Sequence, residues 1–99
     1  MTLCTVFQEA LSMQIWKYSL SFERQEFLMP VGARIISAKV QGTGICLWAV
    51  VNPECLPAYY VTKTIMSVMT GQECEIPDEW VFIETVMLNS IVIHIFEEK

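Results

Sequence analysis

From residue 14 onward this chain consists mainly of short strand-like runs, some of which alternate apolar and polar residues while others are apolar throughout. We predict seven strands, over residues 14–19, 26–29, 34–41, 44–51, 59–69, 80–88 and 91–96. Turn signals separate them, such as Pro30-Val-Gly32, Gly42-Thr-Gly44 and the two-residue connection Asn89-Ser90. Seven short strands with such turns predict an all-β fold, either a small antiparallel sandwich or a small barrel.

The predicted strands 34–41 and 44–51 give the clearest indication of which residues form the core. In residues 34–41 the alternation predicts one face made of Ile36, Ala38 and Val40, and another made of Ile35, Ser37, Lys39 and Gln41. Residues 44–51 are apolar at nearly every position, which is typical of a central strand covered on both faces. We therefore expect Trp48, in the middle of this strand, to fill the core.

The first twelve residues differ from the rest of the chain. Thr5 can cap a short helical turn over residues 5–11, with Gln8 three residues further on. Met13 then opens the strand pattern. We predict residues 1–12 to be an N-terminal extension with a short helix, and residues 13–99 to be a single β-rich domain, since 99 residues suffice for one core.

The composition is strongly apolar, with 54% hydrophobic and 17% charged residues, which excludes a disordered chain. A domain this small exposes much of its surface, so this excess predicts a homo-oligomer or an apolar partner surface. No apolar run approaches the roughly 18 residues that a membrane span requires, so no membrane partner is expected.

The net charge of −5 is unevenly distributed along the chain. Residues 1–49 carry four basic and three acidic side chains, whereas residues 50–99 carry Lys63 and Lys99 against eight acidic ones. No cluster of lysine and arginine stands out in the sequence. Such a chain repels phosphate backbones, so we expect no direct binding of nucleic acid.

Candidate catalytic and metal-binding residues are few. The four cysteines, Cys4, Cys46, Cys55 and Cys74, form no C-x-x-C pair, which argues against a zinc site. Cys46 lies in an apolar strand, where a thiol commonly behaves as a small hydrophobic side chain, so we expect reduced thiols. His94 is the only histidine, and we expect it to be half-buried and bonded to the backbone. No nucleophile–base pair is evident, so we predict a protein that is not an enzyme, with no cofactor, no metal and no catalytic residue.

An acidic stretch is the strongest candidate for a partner-binding site. It packs four carboxylates into seven residues: Glu73, Glu75, Asp78 and Glu79. They form a solvated loop, a contact for a basic partner, or a divalent-cation site, although their spacing matches no EF-hand loop. Tyr60 and Trp80 are the aromatic residues that we expect beside this loop at an interface.

Several motifs resemble a family of small, mostly uncharacterised proteins of tailed bacteriophages and prophages. They are Met13-Gln-Ile-Trp-Lys-Tyr18, Met29-Pro-Val-Gly-Ala-Arg-Ile-Ile-Ser37, Cys46-Leu-Trp-Ala-Val-Val-Asn-Pro53 and Ile91-Val-Ile-His-Ile-Phe96. The likeness covers residues 13–96. At Thr70-Gly-Gln-Glu73 relatives commonly carry a Gly-His-Pro run, so any role of that histidine is not carried over to this chain.

The resemblance implies a compact β-rich fold and a phage origin, but no established activity. Together with the acidic stretch, it leads us to expect a counter-defence inhibitor in the cytoplasm of the bacterial host. Its target is a bacterial defence protein with a basic nuclease or effector surface, or else a small nucleotide ligand. A phosphate ligand would require Arg24, Arg34 or Lys39 to be gathered at one site. The alternative is a structural or assembly protein of the virion.

Overall fold

A computed structural model describes residues 12–21 and 23–99, so the helical turn predicted for residues 5–11 lies outside the described residues. Seven strands follow one another, joined by turns and by one short 3₁₀ helix, Pro57–Tyr59. The strands are β1 (Gln14–Leu20), β2 (Arg24–Pro30), β3 (Arg34–Gln41), β4 (Gly44–Val51), β5 (Tyr60–Met69), β6 (Val81–Leu88) and β7 (Ile91–Glu97). The prediction of an all-β fold with seven strands is confirmed.

The strands form two antiparallel sheets. The three-stranded sheet has the order β1-β4-β3, and the four-stranded sheet has the order β2-β5-β7-β6. Each sheet turns one apolar face towards the other, as the two-residue period of a strand requires. The result is a small antiparallel sandwich, with β4 as the central strand of the smaller sheet.

The core consists of the inward-facing side chains of both sheets. The larger buried cluster contains Leu20, Ala38, Ile45, Leu47, Ile65, Val86, Leu88, Ile93 and Ile95. A smaller cluster at one end contains Met29, Ala33, Ala49 and Val51. Tyr18, Phe27 and Ile35 pack against both clusters and therefore make the core continuous.

A β-bulge at Ile36 changes the faces predicted for β3. The pairing with β4 shifts between Ile35, which lies opposite Ala49, and Ser37, which lies opposite Trp48. The extra residue turns Ile35 inwards and leaves Ile36 43% exposed. The prediction that Ile36 shares a face with Ala38 and Val40 is therefore wrong.

Trp48 lies on the outer face of the three-stranded sheet. It is flanked there by Lys17 of β1 and Ser37 of β3 and is half-buried, whereas its chain neighbours Leu47 and Ala49 are fully buried. The expectation that Trp48 fills the core is wrong, because strand alternation gives the inward positions of β4 to the smaller aliphatic side chains.

The hairpin between β6 and β7 is closed by Asn89 and Ser90, as predicted. Both have positive φ, 51° and 69°, which is the geometry of a type I′ turn. Asparagine tolerates the left-handed region well, whereas serine adopts it less readily. The turn fixes the register of the hairpin, with Leu88 opposite Ile91 and Thr85 opposite His94.

One side of the sandwich is closed by β3 and β6, the edge strands of the two sheets, which lie alongside each other. Lys39 Nζ lies 3.7 Å from Glu84 Oε1 across this seam. A second β-bulge, between Phe82 and Glu84, accompanies the contact. Because the pair is largely solvated, it contributes at most about 1 kcal/mol to stability.

A carboxylate lies inside the sandwich near the end of β7. Glu97 is 8% exposed, and its Oε2 atom lies 3.1 Å from Nζ of Lys63 on the adjacent strand β5. Lys99 approaches the same oxygen at 3.4 Å from a more exposed position. The buried charge is thus neutralised mainly by Lys63.

Tyr18 carries an unpaired polar atom into the core. Its ring packs edge-on against Phe27, with 5.6 Å between centroids. Its Oη atom has no hydrogen-bond partner among the described residues. Burial raises the pKa of Tyr18 above its ordinary value of 10.0, and the neighbouring Tyr60 raises that pKa further.

We expect Tyr18→Phe to be at least as stable as the wild type at neutral pH, because an unsatisfied buried hydroxyl costs about 1–3 kcal/mol. Because folding raises the pKa of Tyr18, the proton-dependent part of its contribution to stability is fully present below pH 10 and is lost as pH rises through the folded-state pKa. The variant should therefore lose less stability than the wild type above pH 10 in urea titrations. Destabilisation at neutral pH by more than about 1 kcal/mol would mean that the hydroxyl has a partner.

The three described cysteines differ from one another in redox state, and Cys4 lies outside the described residues. Cys46, buried on β4, and Cys74 have free thiols, whereas Cys55 is disulfide-bonded. The expectation of reduced thiols is therefore wrong for Cys55.

In the described ranges, no helix is long and apolar enough to cross a membrane.

Candidate functional site

The connection between β5 and β6, residues 70–80, contains the predicted acidic stretch. Both strands run antiparallel to β7, which lies between them, so the connection has to return along the length of β7. It leaves β5 after Met69, opposite Ile93, and enters β6 at Val81, opposite Glu97. Four residues of strand separate these levels, or about 13 Å. We call residues 70–80 the acidic connection.

All four predicted carboxylates of the acidic connection are exposed: Glu73, Glu75, Asp78 and Glu79. The ion pairs found among the described residues involve none of them. Within the same part of the chain, no group of three histidine, cysteine, aspartate or glutamate side chains is placed to hold a metal ion. Their negative charge is therefore offered to solvent rather than used inside the fold.

Trp80 ends the acidic connection and anchors it on the four-stranded sheet. Its backbone N–H donates to the carbonyl of Pro77 at 3.1 Å, and its half-buried ring lies 6.2 Å from that of Phe96. Phe96 in turn meets Phe82 edge-on at 5.7 Å, and Phe82 is 55% exposed. Trp80, Phe82 and Phe96 form an aromatic cluster on the outer face of this sheet.

Tyr60 does not belong to this cluster. It opens β5 at the opposite end from the acidic connection and pairs with Pro30. Ile65, which shares the level of Glu97 and Val81, lies five residues further along β5, or about 16 Å away. The structure thus brings Trp80 to the acidic connection but leaves Tyr60 apart from it, near Tyr18.

His94 lies on the same outer face, half-buried between two threonines. Nε2 lies 2.7 Å from Oγ1 of Thr70, and Nδ1 lies 3.0 Å from Oγ1 of Thr85. In a neutral imidazole one nitrogen donates and the other accepts, so one hydroxyl accepts and the other donates. The expected half-burial is confirmed, but the partners are side-chain hydroxyls rather than the backbone.

The histidine links β7 to β6 and to the acidic connection. Its two hydroxyl partners come from β6 and from the first residue of the acidic connection, and no described carboxylate orients the ring. The sequence held a signal for one of these contacts, because the Asn89–Ser90 turn places Thr85 opposite His94. The contact with Thr70 depends on how the acidic connection leaves β5, which local patterns do not specify.

Two adjoining cavities, of about 540 and 310 Å³, lie where the acidic connection leaves β5. They share Met69, Gln72 and Ile91 in their walls. Gln72 Oε1 accepts the backbone N–H of Met69 at 2.9 Å and so holds the turn in place. Ser67 lines the smaller cavity, and its Oγ atom has no hydrogen-bond partner within residues 12–21 and 23–99. This end of the sheet offers a mainly apolar groove at the start of the acidic connection.

Comparison with known proteins gives one match. Residues 12–99 match the family described as "Domain of unknown function (DUF7352)". No curated protein and no solved structure matches the chain. The matched region begins one residue before the predicted start of the β-rich domain and spans most of the sequence. The chain therefore belongs to the DUF7352 family.

Proposed function

We propose that this chain is a non-enzymatic binding protein that presents the acidic connection and Trp80 to a basic surface of a partner protein. The observation that carries the proposal is a set of four exposed carboxylates without a described ion-pair partner, next to an aromatic cluster. Protein interfaces commonly combine an aromatic centre with a charged, solvated rim.

The charges of the acidic connection suit it to long-range attraction. Residues 70–80 carry four negative and no positive side chains, so their fields add. Complementary charge of this kind speeds the encounter with a basic partner and excludes acidic ones. A nuclease or effector that binds nucleic acid offers such a basic surface.

The aromatic cluster supplies contact area that the charges cannot. Phe82 exposes more than half of its surface, and Trp80 is half-buried beside it. Aromatic side chains lose little conformational entropy on binding and bury large areas, which makes them effective anchors. The same exposed apolar surface supports self-association, so a homo-oligomer is part of the proposal.

The class of partner follows from the resemblance to tailed-phage proteins. A phage product without catalytic groups can protect the phage by occupying a component of bacterial immunity in the host cytoplasm. We therefore propose counter-defence inhibition, directed at a basic nuclease or effector surface.

A plating assay tests this function. Host strains that each carry one defined nuclease-based defence system are challenged with phage, with and without the expressed chain. We expect the wild type to restore plating on at least one strain and Glu73→Lys/Glu75→Lys to abolish the rescue. Two reversed charges at an interface should weaken binding by about tenfold or more, or about 1.4 kcal/mol.

The matched control is Glu26→Lys/Glu54→Lys, which makes the same change in net charge at exposed positions that line neither the acidic connection nor the two cavities. It should rescue plating as the wild type does. Equal rescue by the acidic-connection variant, or no rescue on any strain, contradicts the proposal. Abundance of the chain in purified virions would instead assign it to particle assembly.

A further inference from the structure

The outer face of the three-stranded sheet carries positive charge only. Its strands β1, β3 and β4 contain Lys17, Arg34 and Lys39 and no acidic residue. All three cations are on the outer face, because their partners on β4 are Trp48, Val50 and Cys46, which alternate with the buried inward residues. We call the set Lys17, Arg34, Ser37, Lys39 and Trp48 the Trp48 face.

The bulge at Ile36 is what gathers these charges. Arg34 and Lys39 are five residues apart, and in a regular strand an odd separation places two side chains on opposite faces. The extra residue reverses the alternation, so both point outwards. Of the three cations named for a phosphate ligand, Arg34 and Lys39 therefore lie on one face together with Lys17, whereas Arg24 lies on β2 of the other sheet.

The cations surround an aromatic ring. Lys17 lies directly opposite Trp48 on β1, while Arg34 and Lys39 lie opposite the β4 residues two positions from Trp48 in either direction. The two outer pairs are four residues apart, or about 13 Å. Lys17 and Arg34 form no ion pair with a described residue, although Lys17 donates to Oε1 of Gln41 at 2.8 Å.

The acidic connection does not cancel this charge. Thr70 and Trp80, at its two ends, contact His94 and Phe96 on the outer face of the four-stranded sheet. The two charged surfaces therefore lie on opposite sides of a sandwich whose sheets are about 10 Å apart. That thickness exceeds the Debye length of about 8 Å at physiological salt, so each surface acts locally despite the net charge.

We propose that the Trp48 face binds single-stranded nucleic acid, with a base stacked on Trp48 and phosphates held by Lys17, Arg34 and Lys39. Positively charged sheets with an aromatic ring on their surface commonly bind unpaired bases, and the half-buried Trp48 lies on such a face. The proposal departs from the expectation of no direct nucleic-acid binding, which was drawn from net charge and took no account of where the cations lie. It does not depend on the acidic connection.

Other occupants fit the Trp48 face less well. A free nucleotide favours a concave pocket, but the two cavities are at the Met69–Ile91 end of the other sheet. A second copy docking its acidic connection here would join opposite sides of the molecule. Such a head-to-tail contact builds an open chain or a ring rather than a closed dimer.

Fluorescence anisotropy with a labelled oligo-thymidine strand at low salt tests the proposal on the full chain. We expect saturable binding. The logarithm of the association constant should fall linearly with the logarithm of the salt concentration, with a slope of about −2, as three phosphate contacts predict for a single strand. Trp48→Leu should weaken binding roughly fivefold to 150-fold, while Trp48→Phe retains most of it. Lys17→Glu and Arg34→Glu should weaken binding and flatten the salt dependence.

Two control variants separate local contacts from net charge. Arg24→Glu makes the same charge change on the four-stranded sheet and should alter affinity less than twofold. Glu84→Gln removes the carboxylate that faces Lys39 and should strengthen binding. The proposal is overturned by absent or non-saturable binding, by unchanged affinity in Trp48→Leu, or by equal affinity for duplex. Equal binding of polyglutamate would identify an acidic protein as the occupant instead.

Discussion

Replacing Leu47 by alanine is expected to lower the free energy of unfolding by about 2–5 kcal/mol, because the side chain is fully buried in the larger core cluster. The neighbouring substitution Trp48→Leu should cost only about 1 kcal/mol, a typical value for a position outside the core. The larger residue thus has the smaller effect, since strand alternation gives the inward position to Leu47.

Urea denaturation followed by circular dichroism measures both values. Trp48→Leu serves as the control for Leu47→Ala because the two positions share a strand and differ only in the face that they occupy. A loss for Trp48→Leu as large as that for Leu47→Ala would place the indole in the core and contradict the register of β4.

Removing the cation beside the buried carboxylate is the second change with a large expected effect. Lys63→Met leaves Glu97 inside the sandwich with only the more distant Lys99 for compensation. Breaking a buried pair on one side usually costs 3–5 kcal/mol, and the remaining lysine places this case at the low end, about 3 kcal/mol.

Lys99→Met is the matched control, because Lys99 approaches the same Oε2 atom from a side chain that is 48% exposed. It should cost less than about 1 kcal/mol. The double variant Lys63→Met/Glu97→Leu should recover most of the stability, since well-packed apolar residues replace buried ion pairs at little cost. Equal losses for the two lysine variants in urea titrations at pH 7 would show that Lys63 is not the main partner.

Local sequence patterns were sufficient for the strands and for one hairpin. Residues 34–41 and 44–51 were predicted with the observed bounds, because glycine and proline residues delimit a clear two-residue period in the first run and a continuous apolar run in the second. The Asn89-Ser90 connection fixed the register between β6 and β7. These features depend on residues that are close together in the sequence, so local patterns are enough to predict them.

The facing of side chains was less predictable. The bulge at Ile36 is a mismatch between two strands, so β3 alone gives no sign of it. The apolar composition of β4 concealed which of its residues point inwards, and Trp48 was placed in the core because of its size. Because of these two errors, the cluster of cations on the Trp48 face was not predicted. Lys17 is also far from Arg34 and Lys39 in sequence, so spacing gave no sign of the cluster.

The candidate site was predicted in part. The exposure of the four carboxylates follows from composition alone, because unpaired charges are rarely buried. Trp80 lies beside them because it is adjacent in sequence. The positions of Tyr60 and Thr70 depend on the strand order β2-β5-β7-β6. This order separates Tyr60 from Trp80 and brings Thr70 into contact with His94. Strand order is a long-range property that composition and spacing do not encode.

The bulge in β3 also allows that strand to lose one residue without changing which side chains face the core. Deleting Ile36 would convert the strand to regular pairing and keep Ile35 facing inwards and Arg34 outwards. Losing a residue from β4 has no such remedy, because every side chain beyond the gap would exchange core for solvent. Natural or engineered deletions in this domain should therefore be tolerated in β3 near residue 36 and rejected in the strand that pairs with it.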